Sequence, residues 1–292
     1  MPSLKDLKKR IDSVKSTRKI TSATKMVAAS KLRRAQEQAL SARPFAEHMS
    51  RVMGQIAAGT PKTDDMPKLL AGTGKDDVVL VVIVTSDRGL CGALNSNLMR
   101  NARRRIAALL GEGKTVKIMT IGKKGRDGMR RDHGSRIVHS AELSAGKVLR
   151  FTDAQAVAEK LMAMMAAGEF DRCVIFYNTF KSVISQVVTE QQLIPAMVDE
   201  GAAKQPGEAS YEAEPDESEI LAELLPRNLA VQVFRALLEN NASFQGAQMS
   251  AMDAATRNAG EMISRLTLSY NRARQAAITK ELIEIISGAE AV

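Results

Sequence analysis

The segment TSDRGLCGALNSN, residues 85–97, holds the residues of this chain that could most readily bind a phosphate group. It follows a β-branched run and precedes a helical pattern, and a glycine-containing turn at a helix N-terminus can hold an anion with its backbone amides. Gly89 and Gly92 provide only G-x-x-G, however, and neither G-x-G-x-x-G nor G-x-x-x-x-G-K-[ST] occurs in the sequence. The segment therefore favours a tight structural turn over a nucleotide site.

The other nucleophilic and metal-binding residue types are scattered along the chain. Ser86 and Asp87 follow a predicted strand but have no histidine near them in a recognisable order, and Ser287 lies in IISGA, which lacks the G-x-S-x-G pattern. The three histidines are dispersed without H-E-x-x-H, and Cys91 and Cys173 are too far apart in sequence to suggest a zinc site or a disulfide framework. We expect no catalytic residue, no bound metal and no cofactor, and a reducing compartment.

The composition indicates a helix-rich globular protein. Hydrophobic residues make up 45% of the chain but aromatic residues only 3%, while methionine occurs 15 times. Small and flexible side chains of this kind suit closely packed helices. No apolar run reaches the roughly 18 to 20 residues that cross a bilayer. We expect a soluble chain that associates with a membrane only through a partner.

Two very long helices must form the ends of the molecule. Apolar residues recur at steps of three and four from Leu4 to about Ala57, with a polar break near Arg18, Thr21 and Lys25. A second helical pattern runs from Glu217 almost to the end of the chain. The sequence predicts an N-terminal coiled-coil helix over residues 1–57 and a C-terminal one over residues 217–292, wound antiparallel around each other.

The middle of the chain changes its period and predicts an inserted Rossmann-like α/β domain over residues 78–198. Strands are expected at 78–86, 115–122 and 172–180, with helices at 93–110 and 152–167 and an edge strand within 182–195. Residues 58–77 and 199–216 are rich in glycine, proline and acidic residues, and they predict a linker and a flexible acidic connector. The fold class is therefore α/β with long helices.

Charge divides the two helices, and one end of the chain carries uncovered apolar residues. Residues 1–51 have a net charge of +9, equal to that of the whole chain, whereas residues 212–292 sum to −5. On the last helical turns an arc of about 160° is apolar, wider than one neighbouring helix covers: Ile278, Leu282, Ile283, Ile285 and Ile286. We expect this apolar tip to be covered by another subunit.

The residues alone leave three functions open. A basic helix could meet an acidic protein or an anionic lipid surface in a non-catalytic assembly, or it could bind nucleic acid, which would leave the α/β insert unexplained. A Rossmann-like enzyme with coiled-coil arms is the third reading. Saturable nucleotide binding would distinguish the enzyme, and salt-sensitive retention on DNA would distinguish the nucleic-acid binder.

Motifs at both ends and in the middle resemble one family over essentially the full length of the chain. RIDSVKSTRKITSATKMVAASKLRRAQ near the start is similar to I-x-S-x-x-x-T-x-K-I-T-x-A-M-x-M-V-A-A-S-K, with Thr24 where methionine is usual. SDRGLCGALN is similar to S-D-[KR]-G-L-C-G-x-[FL]-N, and ITKELIEIISGAEA fits I-T-x-E-x-x-E-x-x-x-G-A. These are motifs of the γ subunit of the F-type ATP synthase, the central rotor shaft of its F1 sector.

The resemblance implies a non-enzymatic subunit of the proton-translocating F1Fo ATP synthase. Its helices would turn inside a hexamer of α and β subunits, with the apolar tip in a sleeve, and would couple rotation of the membrane c ring to conformational change at the β catalytic sites. The implied partners are the α and β subunits, the ε and δ subunits and the c ring. The implied location is the cytoplasmic face of a bacterial inner membrane, as a peripheral protein; a basic coiled-coil nucleic-acid binder is the alternative.

The resemblance also assigns candidate contact residues. Contacts with a catch loop on β are expected at Arg274, Gln275, Thr279 and Glu281, where guanidinium and amide groups form directional bonds. Met26 matches a position that faces an acidic lever on β, and the nearby charges suggest further lever contacts at Lys25, Lys31, Arg33 and Arg34. Contacts with the c ring are expected at Tyr211 and Glu214 in YEAEPD, where Ala213 replaces a usual tyrosine.

Overall fold

The computed structural model describes residues 3–59, 67–142, 148–196 and 217–290. Long helices occupy both ends of the described chain, and a five-stranded sheet with its helices lies between them in sequence. In chain order the elements are α1 (Leu4–Gly59), α2 (Lys68–Ala71), β1 (Val78–Val84), α3 (Leu94–Gly111), β2 (Thr115–Ile121), α4 (Lys123–His133), β3 (Ile137–Ala141), α5 (Phe151–Ala166), β4 (Arg172–Ser182), β5 (Ser185–Ile194) and α6 (Glu217–Glu290).

The sheet has the order β3-β2-β1-β4-β5. The first four strands in this order are parallel, and β5 pairs antiparallel with β4 at the edge. β1 lies at the centre and is buried on both faces, as its uninterrupted VVLVVIV predicts. The three predicted strands and the predicted edge strand are thus confirmed, and so is the Rossmann-like insert.

Residues 123–141, for which the sequence predicts no element, form α4 and β3. Helix α4 has the sequence KKGRDGMRRDH, in which Met129 is the one large side chain that is buried. Lys123, Lys124, Arg130 and Arg131 are exposed on the opposite side. A helix that contributes so little apolar surface gives almost no periodic signal, and a strand of five residues gives little more.

Helices cover both faces of the sheet. On one face, Leu98, Ile106 and other residues of α3 pack with Met129 against the odd-numbered side chains of β1. On the other face, α5 and the first half of α6 contribute apolar side chains such as Leu161 and Leu237. The N-terminal edge of the sheet is anchored by Asp171, which accepts hydrogen bonds from the Thr73 hydroxyl (2.6 Å) and from the backbone amides of Asp77 and Val78 (3.1 and 2.9 Å).

Contacts divide the chain into two units. One consists of residues 1–30 and 248–292, and the other of residues 31–247. In the first unit, α1 and α6 run antiparallel. The Thr256 hydroxyl donates to the Thr21 hydroxyl (2.8 Å), and Lys25 pairs with Asp253, so the contact moves forward along α1 while it moves backward along α6.

The second unit contains the sheet together with the adjoining segments of both long helices. Here too α1 and α6 run antiparallel, since Arg43 pairs with Glu239 and Met53 packs against Leu221 and Leu225. The predicted antiparallel pairing of the two long helices is confirmed. The predicted domain boundaries at residues 57, 77, 198 and 216 remain predictions.

Candidate functional site

The turn that follows β1 is closed by its own side chains. The carboxylate of Asp87 accepts a hydrogen bond from the backbone amide of Lys123 (2.9 Å), the first residue of α4. The Thr85 hydroxyl accepts one from the amide of Gly125 (2.7 Å), and the amide of Lys124 donates to the carbonyl of Ser86 (3.1 Å). The first three amides of α4, the helix N-terminus that adjoins this turn, therefore already have partners within the chain.

Close packing characterises the base of this turn, whereas Arg88 and Leu90 at its tip are exposed. Desolvation raises the pKa of Asp87 from its ordinary value, in spite of the hydrogen bond from the Lys123 amide. Gly122 has φ +97°, and a Cβ atom there would lie 2.2 Å from the carbonyl oxygen of Thr85, so only glycine fits. Asn95 accepts from the amide of Ser86 (3.3 Å) and donates to its hydroxyl (2.8 Å). The predicted structural turn is what the sequence SDRGLCG forms.

The crevice at the carboxyl ends of β1 and β4 is filled by α6. In doubly wound folds this is the place where the strand order reverses and ligands bind. Asn178 of β4 donates to the side chain of Asn240 (3.0 Å), and the Ser243 hydroxyl donates to the carbonyl of Asn178 (2.9 Å). All three residues are buried. Polar side chains of α6 thus form the hydrogen bonds that the polar groups of Asn178 need at this point.

A buried ion pair lies beside this crevice. Glu239 of α6 is only 1% exposed and forms a two-pronged pair with Arg43 of α1, with Nε–Oε1 at 2.6 Å and Nη2–Oε2 at 3.0 Å. The same carboxylate accepts the backbone amide of Phe180 (2.9 Å), and Arg43 donates to the carbonyl of Phe180 (2.9 Å). The hydrogen bond to Glu239 raises the pKa of Arg43.

Sequence reasoning missed this pair. In the sequence, Arg43 is only one of the basic residues that give residues 1–51 their positive charge. A signal was available: Glu239 follows Leu237 and Leu238 in the sequence RALLENN, where a charged side chain interrupts apolar residues that the structure shows to be buried. A lone acid in such a position needs a buried partner.

The predicted apolar tip is exposed in the structure. Its five side chains on α6 are between 49% and 68% exposed: Ile278, Leu282, Ile283, Ile285 and Ile286. No other described part of the chain covers them. An exposed apolar patch of this kind marks a site of interaction with another molecule.

The four residues expected at a β catch loop lie on the same part of α6, and all are exposed. At about 100° per residue, Gln275 and Thr279 fall within the arc of the apolar tip, Arg274 falls at its border, and Glu281 lies about 40° outside it. Among the described residues, the side chains of Arg274 and Gln275 have no hydrogen-bond or ion-pair partner. The structure therefore leaves these polar groups available next to the apolar tip.

The residues expected to contact the β lever differ in whether they already have a partner within the chain. Met26 is 65% exposed. Lys25, however, donates to Asp253 of α6 at 2.6 Å, and this hydrogen bond lowers the pKa of Asp253. Arg33 pairs with Glu37 one turn further along α1 (3.2 Å).

Lys31 and Arg34 are exposed without an ion-pair partner among the residues that the structure describes. Of the four basic residues, these two are the ones whose charge is left for another molecule. The expected c-ring contacts Tyr211 and Glu214 lie outside the described residues.

The described ranges contain neither a metal-binding cluster nor a membrane-spanning helix. Within residues 3–59, 67–142, 148–196 and 217–290, no group of three or more His, Cys, Asp or Glu side chains is arranged to hold a metal ion. No helix in these ranges combines the length and the apolar composition that a membrane span requires.

Comparison with known proteins gives one consistent family. A family model described as ATP synthase matches residues 3–292. The chain is 59% identical to the ATP synthase gamma chain of Parvibaculum lavamentivorans over 294 residues, and 58% identical to those of Rhizobium etli and Rhodobacter capsulatus over 294 and 292 residues. Each of these alignments covers 100% of both chains.

Solved structures of similar fold come from mitochondrial ATP synthases. A chain in the central stalk and c-ring structure of the Tetrahymena thermophila enzyme has a TM-score of 0.61 and 28% identity, covering 81% of this chain and 99% of that one. A chain of the Euglena gracilis enzyme in rotational state 3 has a TM-score of 0.70 over 99% of this chain and 94% of that one. Its identity of 20% makes it evidence for the fold alone.

Proposed function

We propose a function from one premise: this chain belongs to the ATP synthase gamma chain family. The chain is the central-stalk rotor subunit of the proton-translocating F1Fo ATP synthase. It couples rotation of the membrane c ring to conformational change at the catalytic sites of the β subunits. The alternative of a coiled-coil nucleic-acid binder has no support in the relatives described above.

The observation that carries this proposal is the uncovered end of α6. An exposed row of isoleucine and leucine at the tip of a long helix is costly in water, and burial of each such side chain contributes about 1.5–3 kcal/mol. A collar of α and β subunits supplies that burial without fixing the rotation angle, because apolar contacts are not directional.

Polar groups beside the tip give the rotor its angle-dependent contacts. Arg274, Gln275, Thr279 and Glu281 bind the catch loop of a β subunit, and Met26, Lys31 and Arg34 face its acidic lever. Lys25 and Arg33 contribute to the lever contact only if they exchange their present partners Asp253 and Glu37. As the rotor turns, it presents these groups to each β subunit in succession and so shifts the population of its conformations.

The chain itself is non-catalytic in this proposal. What supports this is that the turn after β1 lacks both glycine-rich phosphate-binding patterns, and that α6 fills the crevice where a doubly wound fold binds its ligand. The ATP chemistry belongs to the α and β subunits, and the rotor supplies conformational work.

The remaining partners follow from the place of a rotor in the complex. The α/β domain meets the c ring and the ε subunit, and Tyr211 and Glu214 of the following connector also contact the c ring. The δ subunit belongs to the same complex. The chain is peripheral at the cytoplasmic face of a bacterial inner membrane, held there by its partners.

Reconstitution tests the proposal. The purified chain is mixed with α and β subunits of a close relative, and a bead attached to its α/β domain is observed by single-molecule microscopy. We expect no ATP hydrolysis by the chain alone, a stable complex with three α and three β subunits, and rotation of the bead when ATP is added. Hydrolysis by the isolated chain, or failure to be retained by the hexamer, would refute it.

A further inference from the structure

One edge of β4 is completed by side chains instead of by a strand. β4 runs from Arg172 to Ser182, but its pairing with β1 ends at Phe176. Beyond this point the other edge of β4 still pairs with β5. On the open side, Glu239 binds the amide of Phe180, Arg43 binds its carbonyl, and Ser243 binds the carbonyl of Asn178.

These bonds join three separate parts of the chain within the second unit. Arg43 comes from α1, Glu239 from α6, and Phe180 from the sheet. The ion pair and the two backbone bonds form a closed set of four contacts of 2.6 to 3.0 Å, with the carboxylate almost fully buried. We call this set the Arg43–Glu239 joint.

The joint differs in kind from the packing around it. Elsewhere the first half of α6 meets the sheet through small and apolar side chains such as Ala230 and Val233 and through the neutral hydrogen bonds of Asn240 and Ser243 with Asn178. Apolar contacts have no preferred direction and neutral hydrogen bonds are weaker than charge-assisted ones, so these contacts resist a sideways force less than a bidentate ion pair does. A shift of α6 by one residue would break the three contacts of Glu239, and a shift of α1 would break the three contacts of Arg43.

Stability alone does not account for a buried pair of this kind. Removing one partner leaves an uncompensated charge, but replacing both partners by apolar residues of similar size is often neutral or stabilising. The best-attested use of buried polar pairs is to fix one register out of several. The Arg43–Glu239 joint fixes the register of α1 and α6 against the sheet.

We propose that the Arg43–Glu239 joint carries torque between the sheet of the α/β domain and the adjoining segments of the two long helices. This positioning role rests on the proposed rotor function. In such a rotor the c ring applies torque to the α/β domain, and the long helices act on the β subunits. The torque must therefore be transmitted through the contact between the sheet and the helices. The joint makes that contact resist slippage.

The test uses the complete ATP synthase reconstituted in liposomes. ATP-driven proton uptake and ATP hydrolysis are measured on the same preparation, and their ratio is compared among the wild-type chain, Glu239→Gln and the double variant Arg43→Met/Glu239→Leu. Arg126→Gln is the matched control, because it breaks an ion pair with Glu142 (2.7 Å) that lies on the surface of the same domain.

We expect the double variant to fold and to assemble, since the apolar pair fills the same space, but to melt below the wild-type temperature because the amide and the carbonyl of Phe180 lose their partners. Its ratio of protons to ATP should nevertheless fall about twofold or more, the lower end of the effect seen for residues that couple two sites. Glu239→Gln, which keeps the shape but removes the charge, should lower the ratio in the same direction, and Arg126→Gln should not change it.

The outcomes separate the two proposals. If the wild-type complex does not couple hydrolysis to proton uptake, the rotor function itself is refuted. If it does couple and both joint variants keep the wild-type ratio, or Arg126→Gln lowers it equally, the joint has no role in torque. Should the double variant fail to fold, Glu239→Gln decides alone.

Discussion

Removal of apolar surface from the tip of α6 should weaken the hold of the hexamer on the rotor without affecting the rotor itself. We choose the double variant Ile283→Ser/Ile286→Ser. Each of these side chains is 58% exposed in the chain. Because they contribute little to its internal packing, the isolated variant should melt close to the wild-type temperature.

The structure gives the size of the effect on binding. Complete burial of an isoleucine side chain is worth about 1.5–3 kcal/mol, so covering the exposed part of both residues contributes about 2–3 kcal/mol. Loss of this contribution should raise the dissociation constant about 30- to 150-fold. The serine hydroxyls add to the loss, since an apolar sleeve offers them no hydrogen-bond partner.

Dissociation is the appropriate measurement, because affinity differences between related complexes appear mainly in the off-rate. A fluorescently labelled chain is assembled with α and β subunits and chased with unlabelled chain. Val138→Ser/Val148→Ser, two exposed valines of the α/β domain, is the control and should leave at the wild-type rate. If Ile283→Ser/Ile286→Ser also leaves at that rate, the tip is not sheathed and our reasoning about α6 is wrong.

Three further predictions concern the α/β domain. Gly122→Ala should lower the free energy of unfolding by about 3 kcal/mol or more, because backbone strain and overlap with Thr85 add together. Gly113→Ala is the control: its φ is similarly positive but the space around it is open, so it should cost only about 1 kcal/mol. Urea titration measures both values. Hydrogen bonds lower the pKa of Asp171 below its ordinary value of 3.8. They stabilise the fold fully above pH 3.8, and this contribution is lost as the pH falls through the lower pKa of the folded state. Acid unfolding of Asp171→Asn should therefore depend less on pH over that range, and an unchanged profile would contradict the assignment. Burial raises the pKa of Cys173, so its thiol should resist iodoacetamide until the chain is unfolded, and rapid labelling of the native chain would show that this core opens.

The parts of the fold that the sequence predicted are those with a strong periodic or continuous apolar pattern. The run VVLVVIV gave β1 its length and its central place, and the steps of three and four that contain Leu32, Ala35 and Ala39 gave α1 its buried side. α4 and β3 escaped prediction because burial of Met129 alone leaves no repeat to recognise. An element could be predicted from its apolar pattern to the extent that it buries apolar side chains.

The candidate site was predictable where a residue acts alone and unpredictable where it acts through a distant partner. Exposure of the five tip residues follows from their arc and from the position of the tip at the end of the helix. The partner of Lys25 does not: Asp253 lies far away in the sequence, and only the antiparallel pairing of α1 and α6 brings the two together. Charge counts alone could not distinguish this lysine from Lys31, which has no such partner among the residues that the structure describes.

The carboxylate of Asp87 occupies the first amide of α4 and so takes the place that an anionic metabolite could have at this helix end. A protein that binds a ligand only in its folded state gains stability as the ligand concentration rises. Here an anion of the chain's own occupies the helix end, so the folding equilibrium contains no such dependence at this position. At this helix end the stability of the fold is therefore the same when cellular ATP is abundant and when it is exhausted.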